Sequence, residues 1–308
     1  MSAIWIPKRL VEIKLINVAA SDKVGFIRHC EFEYESRIYA AAKEIMASGK
    51  RIVMLTGPSA SGKTTTSNKI AEKIRTMGKN AQVLSMDNFF KNPEVYPRLP
   101  DGTKDYENVR AVDIELMDKC LKEILETGRS VMPMFDFKTE RRVEDAISMD
   151  IGDGIIIVEG IHALNPVVLG DLPRDQVFTI YAGLREEYSH QGQRVLPTRD
   201  IRMVRRMIRD FKHRGHSPEK TIAMWQSVCD GEDKYIKPFK QNADLLLDTS
   251  FSCEILVMNS ALKNLSAGLK DGSPESERLE KLLKVFNNCD YIPEGYLLTN
   301  SMLKEFYC

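Results

Sequence analysis

Gly57-Pro58-Ser59-Ala60-Ser61-Gly62-Lys63-Thr64 fills every fixed position of the pattern G-x-x-x-x-G-K-[ST]. The spacing has a physical reason. Glycines let the main chain curl so that successive N–H groups point inward at a di- or triphosphate, and a helix starting near Lys63 adds the positive end of its dipole to the same spot. Lys63 is placed to bridge the β- and γ-phosphates, and the Thr64 hydroxyl to ligate Mg²⁺. The candidate phosphate-binding residues are therefore Gly57, Ser59, Ala60, Ser61, Gly62, Lys63, Thr64 and Thr65, with ATP and Mg²⁺ as the implied cofactors. The context agrees: the apolar run Ile52-Val53-Met54-Leu55 enters the loop, and a segment with Ile70, Ile74 and Met77 on one helical face leaves it.

Working outward, short apolar runs alternate with amphipathic helices, the pattern of a parallel α/β sheet. Strands are expected at 51–56, 81–86, 131–135, 154–158, 177–182 and 244–248. Helices are expected at 64–77, 113–126, 200–214 and 218–230. Before the loop, Val11-Glu12-Ile13-Lys14-Leu15 alternates, and a helix from about Cys30 to Met46 is ended by Gly49. After Asp248 the periodicity predicts helices at 254–269 and 277–287, with Ser273 or Ser276 available to cap the second. The chain divides into an N-terminal extension (1–48), a phosphate-loop domain (49–250) and a helical C-terminal extension (251–308).

In open α/β sheets ligands bind outside the carboxyl ends of the strands. Asp87 follows the run Ala81–Met86 and Glu159 follows Ile155–Val158, so both fall on the edge that carries the loop. Phosphoryl transfer needs a proton acceptor and an Mg²⁺ ligand, and each carboxylate suits one of those roles. Farther on, Ile201, Val204, Ile208 and Phe211 share one face of a helix while Arg202, Arg205, Arg206 and Arg209 crowd another. Four guanidiniums with almost no acid nearby call for an anion among them, and ATP phosphates are the natural one. Gly215 after Arg214 lets the segment at about 200–217 hinge as a lid.

Together these residues resemble the uridine kinase and phosphoribulokinase family over roughly 51–250. The shared motifs are the loop, Ser85-Met86-Asp87-Asn88-Phe89-Phe90-Lys91, Pro133-Met134-Phe135-Asp136-Phe137, Val158-Glu159-Gly160-Ile161, and the arginine segment from Arg205 to Asp210 with Arg214-Gly215. The ending Asn300-Ser301-Met302-Leu303-Lys304-Glu305-Phe306 is similar to longer bacterial uridine-kinase-like proteins, whose extra N-terminal module is too large for the first 48 residues here. The resemblance implies a P-loop α/β sandwich of three layers, with a mostly parallel sheet of about five strands and a helical tail. It makes Asp87 and Lys63 catalytic, with Asp87 the general base, and places Thr64 and Glu159 at the metal. It sets Arg209 and Arg214 on the phosphates, and Arg206, Glu107, Phe135 and Glu140 on the acceptor. The half of the site that reads a pyrimidine departs from the family. Glu140 stands for a His, Phe135 for a Tyr, His216 for an Arg and Met224 for a Gln. Uridine and cytidine are therefore expected to be poor acceptors, because the Glu140 carboxylate would face uracil carbonyls that are also hydrogen-bond acceptors. The expected activity is Mg-ATP-dependent phosphorylation of a hydroxyl on a small nucleoside, sugar or polyol. A uridine kinase with a rebuilt base pocket, a non-catalytic nucleotide-binding regulator and a kinase acting on RNA stay open beside it.

Composition narrows the classes further. The 308 residues carry 44 basic and 44 acidic side chains, a net charge of zero that argues against a nucleic-acid coat or a polybasic membrane face. The apolar runs are far shorter than the roughly 20 residues a bilayer demands, and Trp5, Pro7, Lys8 and Arg9 interrupt any signal-peptide core. Six scattered cysteines without a C-x-x-C pair suit reduced thiols in a cytoplasmic protein. A small-molecule acceptor is the expected partner, and self-association is left open.

Overall fold

In the computed structural model, which describes residues 7–99, 102–265 and 272–307, the chain opens with β1 (Arg9–Glu12), α1 (Ile13–Ala19) and α2 (Lys23–Ser48). Next come β2 (Ile52–Thr56), α3 (Lys63–Thr76), β3 (Ala81–Ser85), α4 (Ile114–Thr127), β4 (Arg129–Asp136) and β5 (Arg141–Asp150). β6 (Ile155–Glu159), the short α5 (Pro166–Leu169), β7 (Val177–Gly183), β8 (Glu186–His190) and β9 (Gln193–Leu196) follow. The rest is α6 (Thr198–Arg214), α7 (Pro218–Tyr235), β10 (Leu245–Asp248), α8 (Glu254–Leu265), α9 (Pro274–Phe286) and α10 (Lys304–Tyr307).

The five-stranded sheet has the order β10-β7-β2-β6-β3, and every pairing in it is parallel. β2, β6 and β7 are buried at every position, as central strands covered on both faces must be, which is why their sequences read as continuous apolar runs. Their side chains alternate between two cores. Val53, Leu55, Ile157 and Ile180 join α2, α3, α6 and α8 on one face, while Ile52, Met54, Ile156 and Val158 meet α4 on the other. This is the expected three-layer α/β sandwich.

Four expectations need correction. The run 131–135 is a strand, but β4 pairs antiparallel with β5 outside the main sheet; the register shifts across Pro133, which has no N–H to give a ladder. Phe211 leaves the apolar face of α6 and is 49% exposed. The alternating stretch 11–15 is not one strand: β1 ends at Glu12 and α1 begins at Ile13. The helix expected from Cys30 already begins at Lys23, where the Asp22 side chain accepts from the Gly25 N–H, and Gly49 ends it at φ +69°. Ser273 caps α9, while the predicted last turn of the helix at 254–269 falls outside the described residues beyond Leu265.

The segments flanking the sheet do not stand apart from it. β1 pairs with β8 in a small sheet completed by β9, α2 packs along α3, and one apolar core joins Ile27 and Tyr34 to Leu256, Phe286 and Phe306.

Candidate active site

The loop leaves β2 through Gly57, where a Cβ would come within 2.1 Å of the Ala182 carbonyl, so no larger residue fits. Ala60 (φ +59°) and Gly62 (φ +82°) take left-handed conformations that turn the chain into the start of α3. Ala60 pays for that geometry in backbone strain, which is a feature of binding loops. The Pro58 carbonyl accepts from the Ser61 N–H at 3.2 Å and from Lys63 Nζ at 3.2 Å. The N–H groups of Lys63 and Thr64 open α3 and so have no intrahelical acceptor. The buried Ser61 hydroxyl has no partner among the described residues. A curled loop with unspent donors and a buried ammonium is a setting that suits a phosphate chain.

Ser85 and Glu159 are register partners at the ends of β3 and β6, and Leu55 of β2 faces Glu159 from the other side. Thr64 Oγ1 donates to Glu159 Oε1 at 3.1 Å, so the two expected metal ligands already touch. Asp87 lies just past β3, its N–H held by Ser85 Oγ at 3.3 Å. Burial pushes the Asp87 carboxyl above its ordinary range, against the pull of Lys63 and Arg214. Burial does the same to Glu159, with Asp87 adding to the rise and Lys63, Thr64 and Ser85 opposing it. Burial likewise lowers the Lys63 ammonium, while Glu159, Asp87 and Glu305 favour its charge. Two carboxyls and a lysine thus share one desolvated corner, where Lys63 and the carboxylates favour each other's charge while the two carboxyls oppose each other's. One carboxylate and one hydroxyl could hold Mg²⁺, since this ion usually takes phosphate oxygens and water for the rest of its shell.

The arginine helix needs the main correction. Arg202 and Arg205 are not waiting for ATP. Arg202 pairs with Glu232 at 2.6 Å, and Arg205 forks onto Glu254 at 2.5 and 2.7 Å. All four side chains are buried. Both arginines also donate to the loop itself, Arg202 to the Ser59 carbonyl at 3.1 Å and Arg205 to the Ala60 carbonyl at 3.2 Å. Their acids come from α7 and α8, far along the chain, which is why the stripe looked uncompensated. Arg206, Arg209 and Arg214 all lie against Asp210. The charge of Arg209 also acts on Lys63 and that of Arg214 on Asp87. Arg206 donates to Ser59 Oγ at 3.0 Å and acts electrostatically on Glu107.

On the acceptor side, Glu107 joins the cluster: burial raises its carboxyl, Arg206 and Lys63 oppose the rise, and Asp105 and Asp87 add to it. Phe135 is buried in an aromatic wall, 5.7 Å from the Phe90 ring and 5.1 Å from that of Phe137. Glu140 does not join. It is exposed in the turn between β4 and β5, at φ +52°, and its charge adds to the rise in the Tyr96 pKa. Met224 is exposed too. His162, which no sequence motif singles out, also lies here. It is 2% exposed, and Tyr235 meets its ring edge-on at 5.8 Å. Burial lowers its pKa to about 4, helped by Lys63 and opposed by the Glu107 main chain and Asp105. Its place three residues past Glu159 was the only available hint. A cleft of about 620 Å³ abuts the loop through Pro58 and Arg202, but Asp87, Glu107 and Glu159 do not line it.

The model of the phosphoribulokinase / uridine kinase family matches residues 52–182 and 186–254. The chain belongs to that family. As a P-loop kinase it is similar to the uridine kinase of Bacillus pumilus, with 30% identity over 203 residues, 66% of this chain and 88% of that protein. The uridine kinase of Saccharomyces cerevisiae is 27% identical over 257 residues, 82% of this chain but only 46% of the yeast protein. A Silicibacter sp. TM1040 protein, provisionally named a fructose transport system kinase, superposes with a TM-score of 0.51 at 19% identity, over 68% of this chain and 98% of that one. That likeness concerns the fold alone. Among the described residues no helix is long and apolar enough to cross a membrane.

Proposed function

We propose that the protein transfers the γ-phosphoryl group of ATP to a hydroxyl of a small nucleoside, sugar or polyol. The observation that carries this is the meeting of Lys63, Asp87 and the Thr64–Glu159 pair at one sheet edge beside the loop. Asp87 takes the proton of the attacking hydroxyl; its raised pKa brings it closer to the pH at which a carboxylate is an effective base. Lys63 sits on the β- and γ-phosphates, and Arg209 and Arg214 offset charge on the transferring group. Thr64 and Glu159 would hold Mg²⁺, which would supply charge neutralisation at the phosphates. Glu107, Arg206 and the Phe135 wall orient the acceptor. His162, neutral at pH 7, adds no charge to this side of the pocket.

Uridine is the acceptor named for the relatives. The conflict expected between Glu140 and a uracil carbonyl loses its footing, because an exposed carboxylate in a turn carries no desolvation cost. Uridine and cytidine therefore belong in the test on equal terms with sugars and polyols. The test is ADP release from Mg-ATP across such a panel, with and without each compound. A many-fold acceleration by at least one acceptor, absent in Asp87→Asn, is expected. A slow rate indifferent to every acceptor would instead make the protein a nucleotide-binding regulator.

A further inference from the structure

The donors of a phosphate loop are the main-chain N–H groups and hydroxyls at the start of its helix, which cradle the α- and β-phosphates of a nucleotide. In this protein one such pair is taken. The Thr65 N–H and the Thr65 hydroxyl both donate to Oε2 of Glu305, at 3.3 and 2.6 Å. Glu305 lies on α10, 240 residues farther along the chain, and its negative charge also reaches Lys63. A carboxylate and a phosphate oxygen cannot both hold these two donors, and in a desolvated corner the two anions repel.

We propose that Glu305 is an internal competitor for the phosphate loop, a residue that sets nucleotide affinity by occupying the Thr65 donors until a nucleotide phosphate displaces it. The ligands affected are nucleoside 5′-di- and triphosphates, and the inference rests on the phosphate-loop reading given above. What moves is the side chain and not the tail. Met302, Leu303, Phe306 and Tyr307 are fully buried around it. Met302 Sδ packs where a Cβ on Gly62 would lie, at 2.6 Å. The Tyr307 hydroxyl donates to Glu254 at 2.8 Å, and Lys212 donates to the Tyr307 carbonyl. Glu305 itself is only half-buried, so its carboxylate can rotate toward solvent while its neighbours stay packed.

The experiment is isothermal titration of ADP and of ATP, with Mg²⁺ and no acceptor, into the full-length protein and its Glu305→Gln and Glu305→Ala variants. Both nucleotides should bind about 10-fold more tightly to the variants, since apparent affinity scales with the fraction of sites already competent. Adding Lys63→Ala to Glu305→Gln should abolish that gain, tying it to the loop. Unchanged or weaker binding by both variants overturns the proposal and leaves the phosphate-loop reading standing. No binding of either nucleotide by the wild type or the variants overturns both. Circular dichroism melts of each variant guard against loss of fold, and with two different replacements the result does not hang on one.

Discussion

Asp87 carries two opposed demands. As a base it must ionise, yet burial holds its carboxyl above the ordinary range. Asp87→Asn should therefore lower turnover at least about 100-fold, within the 10²–10⁴ typical of a lost general base, with ATP affinity little changed. In the wild type the acid limb of kcat against pH should lie above the ordinary carboxylate range, and the variant should lose that limb. Stability should move the other way. A carboxyl whose folded pKa is raised contributes stability fully present below its unfolded pKa and lost as pH rises through the folded one. At pH 7 that stability is gone, so the Asn variant should unfold at higher urea than the wild type. An unchanged midpoint would show that Lys63 fully offsets the burial. Asp87, Glu159 and the loop were legible in the sequence because strand and motif are contiguous. His162, Glu305 and the acids that neutralise Arg202 and Arg205 were not, because each acquires its role only from a residue brought in by the fold.

At the scale of elements, α6 is the strut between the loop and the C-terminal helices. Arg205 is 0% exposed and joins Glu254 of α8 to the Ala60 and Thr249 carbonyls. Breaking such a pair leaves a buried charge alone, which costs about 3–5 kcal/mol. Arg205→Met should destabilise the protein by that order in chemical denaturation and weaken ATP binding as the loop loses its brace. Arg205→Met with Glu254→Leu should recover much of the stability but not the nucleotide affinity. A double variant as unstable as the single one would locate the loss in the loop carbonyls instead. The first half of α6 is thus fixed, and its end, from Phe211 to Gly215, is exposed but tied to the tail where Lys212 donates to Glu294 and the Tyr307 carbonyl. The strands missed in the sequence share a physical cause. In β8, Glu186 and Glu187 are buried but paired with Arg9 and Lys8, so a buried strand reads as a charged loop. In β5 only Ile147 and Met149 pack inward, and the exposed charges around them hide the strand.

At the scale of the whole molecule, the division at 48 and 250 suggested by the sequence predicts that residues 49–250 fold alone, and the packing predicts that they do not. Composition changes at those points because the sheet begins and ends there, but the core does not. Ile27, Tyr34, Ile38 and Ile45 from α2, and Ile255, Leu256, Met258, Phe286 and Phe306 from the tail, are at most 1% exposed and belong to the cluster that covers one face of the sheet. Each large apolar side chain so buried is worth about 1.5–3 kcal/mol, whereas a domain's net stability is only about 5–15 kcal/mol. Cutting at 250 also orphans Arg205, whose partner Glu254 lies beyond the cut. A fragment of residues 49–250 should therefore be unfolded or molten, with weak near-ultraviolet dichroism and rapid proteolysis. The full chain should unfold in one transition seen alike by tryptophan fluorescence, to which the buried Trp225 contributes, and far-ultraviolet dichroism. A fragment that unfolds cooperatively and binds ATP like the full chain would restore the three-part division.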